Sequence, residues 1–130
     1  MKIIGLDHVV LTVASIERTV DFYERVLGMR HDVFGGGRHA LTFAGQKINL
    51  HESGREFTPR AKVPQPGSED FCLLVENLED AIARLAKEGT EIIEGPVEKT
   101  GAAGPLLSVY IRDPDDNLVE LGEVQKRPAA

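Results

Sequence analysis

Cysteine occurs once in these 130 residues, at Cys72. A lone thiol closes no internal disulfide, so a disulfide scaffold is excluded and a reducing, cytoplasmic compartment is expected. It also rules out a metal site built from several thiolates. Long apolar runs are missing too: the longest are strand-sized, so no segment is expected to span a membrane. The N-terminus carries no charged region followed by an apolar stretch, and no secretory signal is expected. Lysine and arginine form no block, and the formal net charge is −6. Binding to a nucleic-acid backbone relies on clustered cations, so nucleic acid is not the expected partner.

What is present is a repeated design. Leu6-Asp7-His8-Val9-Val10-Leu11-Thr12-Val13 opens with a polar ring and runs into a valine-rich strand, after which Ser15 suits a helix N-cap. Ile16, Val20, Tyr23 and Leu27 follow at helical spacing, and Gly28 supplies a stop. Strands are then expected over 29–34, 38–44 and 47–52, with tight turns between them. The second half repeats the plan. Asp70 to Val75 is a strand, Asn77 caps a helix ended by Gly89, and short strands over 91–94, 106–112 and 118–123 complete it. Laid on each other without a gap, His8 falls on Asp70, Val13 on Val75, Ser15 on Asn77 and Glu17 on Glu79. Such self-similarity signals repeated architecture.

The expected fold is therefore α+β: paired βαβββ modules forming a curled, eight-stranded mixed sheet in one domain spanning 1–130. Module one covers 1–52 and module two 70–125. The linker, 53–69, holds three prolines and no periodicity, and a connection of that length often touches a site. Residues 96–104 read as a loop, and the tail after Gln125 is patternless and expected to be mobile.

Four polar groups stand at matching places. His8 and Asp70 open the first strand of each module; His51 and Glu120 lie in the last, a match that needs a one-residue insertion. Imidazole and carboxylate are ligand types for zinc, nickel, manganese and iron. A divalent ion held by His8, His51, Asp70 and Glu120 is therefore expected. Glu120 is the hardest to explain otherwise, because it sits between Val119 and Leu121 in an apolar strand, where an unpaired carboxylate is costly. His31 and His39 read as solvated rim residues. Gly35-Gly36-Gly37 precedes no helix and so is no phosphate loop, and Asp113-Pro114-Asp115-Asp116-Asn117 lacks calcium-loop spacing and reads as a turn.

Leu6 to Val13, Asp21-Phe22-Tyr23-Glu24-Arg25-Val26-Leu27-Gly28-Met29 and Arg112 to Glu120 resemble the vicinal oxygen chelate superfamily of glyoxalases, bleomycin-resistance proteins and extradiol dioxygenases. Gln46 to Glu52, Pro64 to Ser68 and Glu94-Gly95-Pro96-Val97 resemble its glyoxalase domain-containing protein 5 type. The resemblance implies a metal cavity between modules and, in small members, a homodimer. His8 and Glu120 match family ligand positions, Asp70 stands where histidine is frequent, and His51 stands at a position that ligates in glyoxalases. It implies a small substrate chelated through adjacent oxygens, with Glu120 as the catalytic base of lyase or isomerase chemistry. Arg60, Lys62, Lys99 and Thr100 are loop groups able to hold an anionic tail of that substrate. Ring cleavage by iron, and binding without turnover, are the alternatives.

Overall fold

The computed structural model describes residues 1–126; the expectation for the tail falls largely on 127–130, outside the described residues. The chain divides into two compact units at Ser68/Glu69. The first unit contains β1 (His8–Val13), α1 (Ile16–Arg25), β2 (Arg30–Phe34), β3 (Arg38–Phe43) and β4 (Gln46–Glu52). The second contains β5 (Asp70–Leu74), α2 (Leu78–Lys87), β6 (Glu94–Gly101), β7 (Gly104–Arg112) and β8 (Leu118–Val124). Each unit is one four-stranded mixed sheet carrying one helix. The strand orders, β1-β4-β3-β2 and β5-β8-β7-β6, are the same topology twice, with the first and last strands parallel. The α+β glyoxalase-like architecture of two βαβββ modules is thus observed, with its eight strands shared between two sheets.

Both helices begin as the sequence dictates. The Ser15 hydroxyl accepts from the backbone N–H of Arg18 at 3.2 Å, and Asn77 Oδ1 accepts from that of Asp80 at 3.0 Å. Each satisfies a donor that the first turn leaves free. The helices end before Gly28 and Gly89, whose φ values of +71° and +68° take the left-handed conformation that stops a helix. Period-two alternation then sorts each sheet into an apolar face and a polar one. In the first unit Leu11, Val13, Leu41, Ile48 and Leu50 are buried on the helix side, as are Val20, Phe22, Tyr23 and Val26. In the second, Val109, Ile111, Val119 and Leu121 are buried with Leu78 and Leu85 of α2.

The reading of 96–104 as a loop is corrected. Val97 to Gly101 pair with Ser108 to Gly104 in register, so the loop shrinks to the tip of a hairpin. Residues 91–93, expected as strand, lie before it. Because β6 is an edge strand, only one side of it needs partners, so Pro96 and the run Glu98-Lys99-Thr100 are tolerated there. That same exposure erased the apolar alternation that marks a central strand.

The turn at 113–117 is organised by two side chains. Asp113 Oδ1 accepts from the backbone N–H groups of Asp115 and Asn117, and Asn117 Nδ2 donates to Asp113 Oδ2 at 2.8 Å. Asn117 is fully buried, and its Oδ1 accepts from the Glu69 N–H at 2.9 Å, tying the start of β5 to β8. Asn117→Ala strands the Glu69 donor and is expected to cost about 2 kcal/mol, read as a lowered urea midpoint with an unchanged slope. No helix among the described residues is long and apolar enough to cross a membrane.

Candidate functional site

The parallel pairs β1/β4 and β5/β8 carry the candidate ligands. In the first unit His8 lies opposite Lys47, Val10 opposite Asn49 and Thr12 opposite His51. In the second, Asp70 lies opposite Leu118, Cys72 opposite Glu120 and Leu74 opposite Gly122. The register corrects the sequence equivalence in the last strands: the counterpart of Glu120 is Asn49, and His51 corresponds to Gly122. His8/Asn49 and Asp70/Glu120 are the same diagonal pair, two residues apart on one face, or about 7 Å along the strand. His51 shares the face of His8 but stands four residues further along, about 13 Å.

Each group has a definite local setting. His8 Nδ1 meets Asp7 Oδ2 at 2.7 Å; a carboxylate only accepts, so Nδ1 donates, and in the neutral ring the lone pair is then on Nε2. An imidazole held this way by a carboxylate is prepared to ligate through its other nitrogen. The Asp7 carboxyl is drawn below its usual range by that bond and by the charge of His8. Asn49 is 9% exposed, and its Oδ1 is buried with no hydrogen-bond partner among the described residues. An orphaned buried acceptor costs folding energy, and an amide oxygen is a ligand for hard divalent cations.

His51 is 8% exposed, and its ring centroid lies 5.9 Å from that of Phe57. Burial holds its pKa below the usual histidine value, the Arg38 charge pushes it further down, and Glu56 opposes both. His51 is therefore a neutral imidazole at neutral pH. Its proton is taken up more readily in the unfolded chain, so folding stability is lost as pH falls through the ordinary histidine range. The wild-type urea midpoint is expected to drop between pH 7.5 and 5.5, and His51→Gln to flatten that drop; equal slopes in the two proteins would contradict it.

Around Glu120 the neighbours come from β5 and β7. The Ser108 hydroxyl, fully buried, donates to Glu120 Oε2 at 2.6 Å. Tyr110 is the register partner of Glu120 on β7, and burial followed by hydrogen bonding to Glu120 pushes its phenol up to about 12. Cys72, exposed as a residue, has its thiol pushed up to about 11, by desolvation first and then by the Glu120 charge. Both stay protonated at neutral pH, so neither is an anionic nucleophile. Both feel the Glu120 carboxylate, and the Cys72 thiol donates to the Leu73 carbonyl at 3.8 Å.

Of the expected substrate contacts, Lys99 lies with Nζ 5.5 Å above the Tyr110 ring, on the Glu120 side of its sheet. Arg60 donates to its neighbour's carbonyl, Ala61 O, at 3.0 Å. Lys62 and Thr100 are exposed. Asn49, Ser108 and Tyr110 are the site residues that sequence reasoning missed. Among the described residues no three His, Cys, Asp or Glu side chains gather at one point; the ligand-type groups occur as pairs, one pair per unit.

Twice-used βαβββ topology, with a diagonal pair of ligand-type side chains at the same sheet position each time, defines a duplicated module. A family model described as the glyoxalase/bleomycin resistance protein/dioxygenase superfamily matches residues 5–121, and the chain belongs to that superfamily. It is 51% identical over 126 residues to the glyoxalase domain-containing protein RDO1 of Mycosarcoma maydis, covering 96% of this chain and 71% of that one. The crystal structure of the virulence protein STM3117 from Salmonella typhimurium superposes with a TM-score of 0.94 at 47% identity, covering 96% of this chain and all of the other (100%). A lactoylglutathione lyase from Escherichia coli O157:H7 is 27% identical over 125 residues, covering 89% of this chain and 90% of that one.

Proposed function

We propose that the protein is a metal-dependent enzyme of glyoxalase type, acting on a small substrate chelated through adjacent oxygens. The observation that carries this reading is the repeated diagonal pair: His8 with its Nε2 lone pair and the orphaned Asn49 Oδ1 in one unit, Asp70 and Glu120 in the other. The donor set fits a hard or borderline divalent ion of the zinc, nickel, manganese or iron kind. His8, Asp70 and Glu120 would hold it. Asn49 and His51 compete for a fourth position, and the register favours Asn49. When bound, such an ion supplies Lewis-acid stabilisation of oxygen charge.

The chain's own residues do the rest. Loosened from the ion, the Glu120 carboxylate would take a proton from the carbon beside the chelating oxygens and return it to the neighbouring carbon, with the Ser108 hydroxyl holding Oε2. Tyr110, kept protonated, donates to the same cluster, and Lys99, over the Tyr110 ring, is a substrate contact beside Glu120. Arg60, Lys62 and Thr100 remain exposed groups for an anionic tail. The kinship with a lactoylglutathione lyase supports lyase or isomerase chemistry. We also propose a cytoplasmic homodimer, supported by the single cysteine and by the exposed apolar side chains Ile3, Ile4 and Leu6 near β1.

The test is elemental analysis of protein purified without chelator, read beside two assays. The reading expects divalent ion, deuterium wash-in at carbon next to a carbonyl, and no oxygen uptake. Iron with oxygen consumption on catechols would move the protein to ring cleavage. Ligand binding with neither reaction would make it a binding protein.

A further inference from the structure

The chain has four histidines, and two of them take no part in the site described above. His31 stands on β2 and His39 on β3, placed diagonally: His31 lies opposite Leu41 and His39 opposite Val33. Leu41 is fully buried on the helix side of the first sheet. Both imidazoles are therefore on that side, and His8 and Asn49 are on the other. The sequence alone suggests two separate solvated rings. In the structure His31 Nε2 meets His39 Nδ1 at 2.7 Å, with the ring planes 5° apart.

Such a contact has one composition. A nitrogen that accepts carries no proton, so one ring gives an N–H, the other gives a lone pair, and at least one imidazole is neutral. The surroundings anchor the pair from beneath and leave it open outward. β3 is rooted by Ala40 and Leu41, both fully buried. β2 is the edge strand of its sheet, and the His31 backbone N–H donates to Glu24 Oε2 of α1 at 3.2 Å. His31 is exposed and His39 half-buried, so an ion with its waters can reach both nitrogens.

Two imidazole nitrogens that share one ion, each about 2.0–2.1 Å from it, stand roughly 3 Å apart. The observed gap reaches that by opening a few tenths of an ångström, through side-chain torsions of two residues near the surface. With both rings neutral, the bridging proton moves to the other nitrogen of its own ring. Each ring then turns one lone pair to the ion, and no proton is released. The Glu24 carboxylate adds negative charge nearby but is not counted as a ligand, since no three such groups gather at one point among the described residues. Imidazole suits copper, nickel and zinc, whereas magnesium, calcium and manganese favour oxygen. We propose that His31 and His39 form a second metal site, a two-imidazole clip on the β2–β3 hairpin. It takes copper(II) most tightly, then nickel(II) or zinc(II), with water in the remaining positions. This site is independent of the enzymatic reading.

The probe is copper(II) itself, titrated into the full chain and followed by electron paramagnetic resonance. A bound ion is expected whose spectrum carries coupling to two imidazole nitrogens, and manganese(II) is expected not to displace it. His31→Gln and His39→Gln are each expected to weaken it by at least about 100-fold, because loss of even an outer partner of a ligand costs roughly 10- to 100-fold. The urea midpoint of each variant checks that the fold is kept, and should one fail to fold the other carries the test. His8→Ala is expected to leave this copper in place. No copper binding, or binding equally tight in a folded His31 or His39 variant, overturns the site. Copper lost in His8→Ala and kept in the His31 and His39 variants also overturns it, and assigns the ion to the opposite face.

Discussion

Glu120→Gln is expected to lower divalent-ion affinity on the order of 100-fold and to slow deuterium wash-in by roughly 1,000-fold when the ion is forced on. The substitution keeps shape and changes only the charge and one acceptor. Ser108 can still donate to the remaining amide oxygen, so the sheet is not disturbed and the loss is chemical. Its neighbours report the same change: with the negative charge gone, the Cys72 thiol loses the second of the causes that hold it up. Thiol alkylation at pH 8 should therefore quicken in the variant. Unchanged ion content with unchanged exchange would remove Glu120 from both roles.

Gly95→Val is expected to destabilise the fold by about 4 kcal/mol. Gly95 has φ +106°, a conformation that side-chain-bearing residues rarely adopt, and it lies at the register shift between β6 and β7. A Cβ there would press on the Ser108 carbonyl oxygen and stand 3.0 Å from Val109 Cα. Both are backbone atoms of a central strand, so neither can swing aside. Relief requires moving β7, and Ser108 on that strand is what holds Glu120. The urea midpoint should fall sharply, and any protein that still folds should bind metal poorly. A loss below about 1 kcal/mol would show that β6 yields instead.

Much of this was legible in the sequence because the determinants are local. Ser15 and Asn77 cap helices by bonding three residues ahead, and Gly28 and Gly89 end them, so the repeat could be read from spacing alone. His8, Asp70 and Glu120 were visible as polar groups at the ends or in the middle of apolar strands. Residues 96–104 were not legible as strand, since an edge strand needs no apolar alternation. Asn49 was missed for a different reason. Aligning the last strands from the turns made His51 the partner of Glu120, whereas pairing between β1 and β4 sets the register. The signal was present in Ile48-Asn49-Leu50 against Val119-Glu120-Leu121, each a polar residue between two apolar ones. An amide was simply not counted among the ligand types. Ser108 and Tyr110 were out of reach, because they meet Glu120 only through cross-strand pairing of β7 with β8. His31 and His39 carry no mark in the sequence that distinguishes a facing pair from two solvated rings.

The most direct measurement of the central claim is a titration of the purified chain with manganese(II), followed by electron paramagnetic resonance of the free ion. One bound ion per chain is expected, abolished by His8→Ala and by Asp70→Ala, and retained in His31→Ala, whose ring lies on the other sheet face. Binding indifferent to His8 and Asp70, or no binding at all with zinc, nickel and iron(II) equally inert in competition, would contradict it.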